Sequence, residues 1–331
     1  MTTSPATYST SNAFPELVER WDASMRQLAP TFEPFTRIHD AESAAIRRWA
    51  DLPIGRLPDW DGSADLGNSG VANAYGATRV QTLTPDGKGT RVELTQIDVR
   101  HSPGLVERKL GQLRDAVTKT MESLVYGVLA SSFTDTVDNG AGGTITIINT
   151  AHRYADAGAG DGVLDQTDNS NKLTTALSAS SLSSGVTLMQ NFKDDSGEPY
   201  GLGTGPLCLV CAPDNRNTAL QLTGSTHMTR FATTVAAEAS PTVTEEFGTS
   251  NALQSNPWQT ISSPYLSDSN DWFIVETAAS GSTPVNLWMS GLPVLNVVMD
   301  QANHKMVLSI SLFAKAWIDT PVAGLVGSTV S

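Results

Sequence analysis

Residues 102–133 carry apolar side chains at gaps of three and four, the spacing that places them on one face of an α-helix. Ser102 is expected to be the N-cap and Pro103 the first helical residue, where an N–H group would have no helical partner in any case. The pattern therefore predicts one long amphipathic helix over this range. Its buried stripe consists of Val106, Leu110, Leu113, Val117, Met121, Leu124 and Val128.

Polar and apolar residues alternate in two runs directly before this helix, at 77–84 and 90–99. Such alternation is typical of strands, and the segment 85–89 between them holds two glycines suited to a tight turn. The pattern predicts a hairpin that has too few large apolar residues to form a core of its own. We therefore expect the hairpin to lie over an adjacent subunit and to stabilise an assembly rather than the subunit. Its large apolar residues are Val80, Val92, Leu94 and Ile97.

Helical spacing also predicts two short helices near the start of the chain, over Pro15–Leu28 and Asp40–Leu52, with prolines between them. Residues 1–52 are therefore interpreted as an extended arm rather than a compact domain. Because such an arm cannot bury large aromatic side chains by itself, we expect Trp21 and Trp49 to be covered by a neighbouring subunit.

The second half of the chain mixes helix and strand patterns. A helix is predicted over 173–192 and another after Asp214, whereas residues 223–250 show only a weak pattern. Because helices come early and strands late, the sequence predicts an α+β fold. The predicted strands are 144–148, 206–212, 258–262, 272–276, 285–289, 294–299 and 305–317.

Composition narrows the functional classes. The chain has 331 residues, is 40% hydrophobic and carries a formal net charge of −13. A protein of this charge is poorly suited to wrapping nucleic acid over its whole surface, because phosphate binding needs clustered Lys and Arg. No stretch approaches the roughly 20 apolar residues of a membrane span, and the first residues lack the basic and apolar regions of a signal peptide. We therefore expect synthesis in the cytosol and no membrane association.

Cys208 and Cys211 are the two cysteines of the chain, and both lie in the apolar strand predicted at 206–212. Strand residues three apart point to opposite faces of a sheet. This arrangement argues against a disulfide and against a shared metal ion. The sequence predicts two buried structural thiols, because a cysteine in a strand usually behaves as a small apolar residue.

No sequence motif indicates catalysis. The chain has no HExxH, GxSxG, Walker or GxGxxG motif, and its five histidines are scattered. We therefore predict a protein that is not an enzyme and has no cofactor and no metal. An acidic group after the strand at 144–148 is interpreted as a solvated loop, with a site for a hard cation such as Ca²⁺ as the alternative. The group consists of Asp156, Asp161, Asp165 and Asp168.

Aromatic and charged residues of the arm and hairpin are the candidates for contacts between subunits. Trp49, Trp60 and Tyr75 are interpreted as interface anchors, with a carbohydrate platform as the alternative. The hairpin contains arginines together with the acidic residues Glu93 and Asp98. These charges could form pairs across an interface between subunits, and they would equally suit a strand face exposed to solvent. The predicted contact residues are Trp21, Trp49, Trp60, Arg79, Lys88, Arg91, Glu93 and Arg100.

The order of these elements is itself informative. An arm, a long hairpin, a long helix, a Gly-rich segment, a mixed portion and closing strands resemble the major capsid proteins of tailed bacteriophages, whose fold is named after phage HK97. The chain is most similar to the Mu-like major head subunit family over roughly residues 35–320. The segments that carry the resemblance are Asn149-Thr150-Ala151-His152, Leu173 to Leu188, Phe192 to Pro199, Gly205 to Pro213, Asn256-Pro257-Trp258 and Ser263 to Phe273.

The resemblance implies a major capsid protein that assembles as hexamers and pentamers into an icosahedral shell around a double-stranded DNA genome. Its partners would be further copies of itself, a separate scaffolding protein, a portal protein, an optional decoration protein and packaged double-stranded DNA bound without sequence specificity. Assembly would take place in the host cytoplasm and the protein would reside in the virion capsid. The implied parts are the N-terminal arm at 1–52, the E-loop hairpin at 53–101, the peripheral domain at 102–199 with its spine helix at 102–133, the axial domain at 200–290, and the return strands at 291–331.

Two alternatives remain at this point. An encapsulin-type shell protein shares the fold and encloses cargo enzymes instead of a genome. A metal- or carbohydrate-binding soluble protein would use the acidic and aromatic loops and would form a monomer or small oligomer.

Overall fold

The fold is an α+β arrangement built on two mixed sheets. The computed structural model describes residues 15–40, 46–49, 80–102, 104–138, 144–150, 152, 169–192, 199, 201–225, 227–233, 243–250, 253, 256–266, 268–278, 283–300, 303–319 and 324–329. The helices are α1 (Pro15–Met25), α2 (Gln96–His101), α3 (Leu105–Ser131), α4 (Ala179–Gln190) and α5 (Arg216–Gly224), with 3₁₀ turns at Glu33–Phe35 and Pro213–Asn215. No helix within these ranges is long and apolar enough to cross a membrane.

The strands follow in chain order. They are β1 (Arg37–Asp40), β2 (Ile46–Trp49), β3 (Val80–Leu83), β4 (Asp86–Thr95), β5 (Thr136–Asp138), β6 (Thr144–Thr146), β7 (Lys172–Leu173), β8 (Leu207–Cys211), β9 (His227–Thr233), β10 (Val243–Ser250), β11 (Trp258–Ser262), β12 (Trp272–Glu276), β13 (Val285–Met289), β14 (Val294–Asp300), β15 (Lys305–Ile318) and β16 (Leu325–Ser328).

The first sheet is organised by β15, a strand of 14 residues. It pairs antiparallel with β13 and β14 along one edge and with β4 along the other, and β1 extends the sheet beyond β13. Even-numbered residues of β15 from Met306 to Ala316 are buried, whereas the odd-numbered residues from Lys305 to Lys315 are exposed or half-buried. Helix α3 lies against the buried face. The alternation therefore gives this sheet one core face and one open face.

The second sheet has the strand order β11-β8-β12-β16-β7. All residues of β8, β12 and β16 are buried, because one face contributes to the same core as α3 and the other face is covered by α4 and α5. Cys208 belongs to the first of these cores and Cys211 to the second. The prediction of two buried thiols on opposite faces is confirmed. Burial raises the pKa of Cys208 to about 12 and that of Cys211 to about 11.

The predicted helix over 102–133 forms as α3 (Leu105–Ser131), and a separate short helix, α2 (Gln96–His101), precedes it where the end of a strand was expected. A capping box between Thr95 and Asp98 starts α2 at Gln96, Ser102 is the C-cap of α2, and α3 begins at Leu105 after Gly104. Gly104 has φ of 81°, a backbone conformation that glycine adopts without strain. The expected N-cap at Ser102 is therefore wrong, because a stronger cap seven residues earlier opens a separate helix.

The predicted stripe of the long helix is fully buried in its middle, at Leu113, Val117 and Met121, whereas Val106 and Leu110 before these residues are half-buried. Its buried residues are Leu113, Val117, Met121, Val125, Tyr126 and Leu129, whereas Leu124 and Val128 are only half-buried. Because an α-helix has 3.6 residues per turn, positions seven apart drift by about 20° per heptad. The buried face of α3 has therefore moved by one residue after Met121.

The predicted hairpin over 77–99 is wrong in its pairing. Strand β4 pairs with β15 through ten consecutive residues, and β3 pairs instead with β2. The expected turn at 85–89 lies largely within β4. The long strand β15 offers an unbroken row of partners, and the resulting register places Leu94 beside Met306 with Leu94 only 4% exposed. Strand β4 is thus part of the sheet of its own subunit rather than an element that lies outside it.

The arm also departs from its prediction. Helix α1 forms as expected, but the helix expected over Asp40–Leu52 is replaced at its ends by β1 and β2, because both segments find strand partners. Trp21 is 2% exposed within its own chain, and its Nε1 donates to the carbonyl of Pro293 at 2.7 Å. The expectation that Trp21 needs a neighbouring subunit for burial is therefore wrong.

Most elements of the second half match their predictions. Strands β11, β12 and β13 have the expected bounds, and β15 ends one residue later than expected. Helix α4 starts late within the predicted 173–192, because the side chains of Ser178 and Ser181 form a capping box. The antiparallel pair β9–β10 and the strand β16 were not predicted.

We predict that Leu113→Ala destabilises the subunit by about 2–5 kcal/mol, the usual effect of removing a fully buried leucine side chain. Leu113 is 3% exposed. The matched control is Leu124→Ala on the same helix, which should have a smaller effect because Leu124 is half-buried. Urea unfolding of the unassembled subunit, followed by circular dichroism, measures both changes. Equal losses for the two variants would contradict the observed orientation of α3.

Candidate functional site

His152 is the most strongly buried histidine among the described residues. Its Nε2 lies 2.8 Å from Oδ1 of Asn171, which also accepts from the backbone N–H of Asn149 at 2.8 Å. Because Asn171 Oδ1 acts as an acceptor, His152 Nε2 carries the hydrogen. Burial lowers the pKa of His152 to about 4. The ring therefore stays neutral and holds together the two chain segments on either side of 153–168.

Asp271 is a buried carboxyl group at the start of β12. Burial raises its pKa to about 6, although a hydrogen bond with Thr329 acts in the opposite direction. Its neighbour Asp268 caps the turn, with its Oδ1 accepting from the N–H of Asn270 at 2.9 Å. In the part of the chain that the structure describes, no group of three His, Cys, Asp or Glu side chains is placed to hold a metal ion. The predicted acidic group, Asp156, Asp161, Asp165 and Asp168, lies outside the described residues.

The predicted contact residues of β4 are on the surface of the first sheet. Glu93 forms ion pairs within its own chain, with Arg91 at 2.9 Å and with Lys305 at 2.9 Å. The hydrogen bond and charge of Lys305, with a further contribution from Arg91, lower the pKa of Glu93. Asp98 is engaged with Thr95 in the cap of α2. A role of Arg91 and Glu93 between subunits stays a prediction.

The remaining predicted contact residues are dispersed. Lys88 is exposed on β4. Trp49 lies in β2 and Arg100 in α2, but their side chains are outside the described part of the structure, as are Trp60 and Arg79 altogether. Among the predicted contact residues whose side chains the structure describes, Lys88, Arg91 and Glu93 share strand β4, but Lys88 is on the α3 side of the sheet whereas Arg91 and Glu93 are on the open face.

Sequence reasoning missed an exposed apolar surface on the open face of the first sheet. Phe313 of β15 is 54% exposed and Val294 of β14 is 53% exposed. Gly87 of β4 is the strand partner of Phe313. A Cβ atom on residue 87 would lie 3.0 Å from the Phe313 ring. The available signal was the alternation within 305–317, which places Phe313 on the face opposite to the buried residues.

A groove of about 720 Å³ lies between the start of α1, the α2–α3 junction and the ends of β14 and β15. Its floor is apolar and two exposed carboxyl side chains, Glu16 and Glu107, stand at its rim. The apolar residues that line it include Leu17, Val99, Val106, Met299 and Met306. Neither the groove nor the open face of the sheet contains an arrangement of side chains typical of catalysis.

Comparison with known proteins identifies the kind of molecule to which these surfaces belong. A family model described as "Phage capsid protein" matches residues 68–308, which is most of the chain. This chain belongs to the phage capsid protein family. A search of curated protein sequences finds no match to this capsid protein.

Solved structures show the same fold for the capsid protein. The capsid of Ralstonia phage GP4 has a TM-score of 0.53 at 9% identity, covering 99% of this chain and 93% of that chain. The mature capsid of bacteriophage PhiM1 has a TM-score of 0.51 at 12% identity, covering 92% of this chain and 88% of that chain. A virus-like particle from Pyrococcus furiosus has a TM-score of 0.50 at 9% identity, covering 96% of this chain and 100% of that chain. The predicted HK97-like α+β fold is therefore confirmed, and the protein is a capsid shell protein.

We predict that His152 and Asp271 give the free energy of unfolding opposite pH dependences. The pKa of His152 is about 4 in the folded state against an ordinary 6.5, so only the unfolded chain takes up this proton as the pH falls through that window, and stability decreases. The pKa of Asp271 is about 6 against an ordinary 3.8, so the folded state takes up the proton first, and stability increases.

Urea unfolding of the subunit at pH values from 7 to 4 measures both effects. His152→Gln should lose less stability than the parent protein on acidification, whereas Asp271→Asn should lose more. A pH dependence identical to that of the parent protein in both variants would contradict these assignments.

Proposed function

We propose that this capsid protein assembles as hexamers and pentamers into the icosahedral shell that encloses the double-stranded DNA genome of a tailed phage. The observation that carries the proposal is the match to the capsid family over residues 68–308, joined to a fold that extends over nearly the whole of the GP4 capsid chain. The coarser statement, a self-associating shell protein of a phage capsid, follows from family membership. The symmetry and the genome are the proposed part.

We further place the chain in the Mu-like major head subunit family. The support is the set of sequence segments between Asn149 and Phe273 that carry this resemblance. The assembly partners are a portal protein, an optional decoration protein and a separate scaffolding protein, with assembly in the host cytoplasm. The separate scaffold is part of what the resemblance implies, and Trp21 and Met25 of helix α1 belong to the subunit core. A helix that completes the core is not a segment that can be removed after assembly.

The division into an arm, an E-loop, a peripheral domain and an axial domain is retained as a proposal. Several strand pairs cross its boundaries, including that of β4 in the proposed E-loop with β15. Strand β13, within the proposed axial part, joins the sheet of β15, and β16, among the return strands, joins β12 in the second sheet. The E-loop is best represented by the antiparallel pair β2–β3 with the residues between them. The predicted contact residue Trp60 lies in that intervening segment.

A non-enzymatic role completes the proposal. Its support is that the strongly perturbed groups His152 and Asp271 hold chain segments in place, and that they are engaged with Asn171 and Thr329 rather than with an open cleft. If the shell enclosed cargo enzymes instead of a genome, purified particles would contain protein cargo and no DNA.

We predict that removing residues 50–79 abolishes shell assembly while leaving the subunit folded. Trp49 and Val80 are direct partners in the β2–β3 register, so a two-residue Asn-Gly turn can join them without disturbing the strands. Light scattering and negative-stain microscopy, in the presence of the scaffolding protein, measure assembly, and circular dichroism measures folding. Full-size shells from the shortened chain would contradict the assigned role of this segment.

A second variant tests the stability of the subunit rather than the assembly of the shell. Leu94→Ala in β4 should lower the stability of the unassembled subunit, because Leu94 is buried in its own core. The shortened chain should not show this loss. If the parent chain remained monomeric with the scaffold present, the proposed function itself would be wrong.

A further inference from the structure

Lys88 points toward the core side of the first sheet, although it is charged and exposed. It is the partner of Leu312 in the β4–β15 register, and Leu312 is 5% exposed. Residues directly opposite each other in an antiparallel pair lie on the same face. The side chain of Lys88 is therefore directed to the face covered by α3 and not to the open face that carries Phe313.

At this margin of the sheet, Lys88 meets the polar side of α3. A concave site of about 310 Å³ lies there between β4, α3 and the loop after β11. It holds two lysines together with hydroxyl groups and one aromatic ring. Its lining residues are Lys88, Lys119, Thr120, Ser123, Leu124 and Tyr265.

The two lysines are not neutralised by their surroundings. Within the described residues, neither ammonium group forms an ion pair, and the acidic residues nearest to them in sequence are engaged elsewhere. Asp86 pairs with Lys315 at 3.4 Å, and Oε1 of Glu122 accepts from the hydroxyl of Thr31 at 2.8 Å. Two cations that line one concavity repel each other unless an anion lies between them.

The donors of this site match a phosphate group. Thr120 uses its hydroxyl hydrogen on the carbonyl of Ala116 at 2.8 Å, which leaves the ammonium groups and the hydroxyls of Ser123 and Tyr265 as donors. Lys, Ser, Thr and Tyr are among the side chains that contact phosphate oxygens in nucleic-acid complexes. The two cations of the lining are both lysines, which bind phosphate groups as point charges.

We propose that Lys88 and Lys119 form a phosphate-binding site that contacts the backbone of nucleic acid without reading its sequence. Phosphate binding is a property of the folded subunit and does not require a shell. The assignment to packaged DNA rests on the proposed function, and it places this side of α3 toward the genome. The remaining surface can stay acidic, because a few local phosphate contacts are enough to position the DNA without binding it tightly.

The experiment uses the full-length, unassembled subunit and a short fluorescent DNA duplex. Binding is followed by anisotropy between about 50 and 200 mM chloride, where each lysine–phosphate contact adds about 0.9 to the slope of log K against log salt. Lys88→Gln with Lys119→Gln should weaken binding and reduce this slope by about two. Lys88→Arg with Lys119→Arg should retain most of the binding, which shows that a loss in the Gln variant reflects charge rather than folding.

The matched control removes two positive charges elsewhere, with Lys109→Gln and Lys172→Gln. These changes give the same net charge and should leave most of the slope in place. Inorganic phosphate should displace the duplex more strongly than chloride at equal ionic strength if isolated phosphate groups are recognised. An unchanged slope in the Lys88 and Lys119 variant would overturn the proposal. Equally tight, lysine-dependent binding of a polyglutamate peptide would also overturn it, because the site would then recognise an acidic protein segment.

Light scattering of the same samples separates this proposal from the proposed function. A variant that assembles normally but binds DNA as the parent protein does would refute only the phosphate site. A parent protein that binds DNA through these lysines but never forms shells would refute only the proposed function.

Discussion

The structure depends on the backbone pairing of β15 with the strands on both of its edges. Ten residues of β4 pair along one edge, and β13 and β14 pair along the other. This arrangement determines which residues of β15 face α3, and so determines where the core is. A shift of the β4 register by one residue would move Leu94 from the core to the open face and bring Glu93 into the core, since strand side chains alternate with a period of two.

Strand β8 of the second sheet is continuously apolar, whereas β15 of the first sheet alternates between buried and more exposed residues. Continuous apolar runs, such as the one around Cys208, are typical of strands buried on both faces, and β8 divides its side chains between two cores. The chain thus places one two-sided sheet next to one single-sided sheet. The open face of the single-sided sheet carries the exposed apolar side chains of Phe313 and Val294, which are candidates for contacts with neighbouring subunits of the shell.

Local sequence predicted elements better than it predicted their partners. Strands such as β12 were predicted with their observed bounds, because a short run of β-branched and aromatic residues between polar turns has few other solutions. The hairpin was mispredicted because alternation shows that a segment is a strand and says nothing about which strand it pairs with. The turn chemistry of Gly87 and Gly89 was outweighed by ten pairings to a strand more than 200 positions away. The same limit explains Trp21, whose partner at Pro293 lies 272 positions along the chain.

The anchoring of β1 and β4 in one sheet has a mechanical consequence. The segment between them leaves the subunit from β1, which is held by β13, and returns through β4, which is held by β15. A pull on this segment along the direction of β4 loads all of its interstrand hydrogen bonds at once in shear. A perpendicular pull would instead open them one after another, as in a zipper. Since each bond contributes only about 0.5–1.5 kcal/mol, the direction of the load decides whether tension between neighbouring subunits is borne by the whole sheet or by a single residue pair.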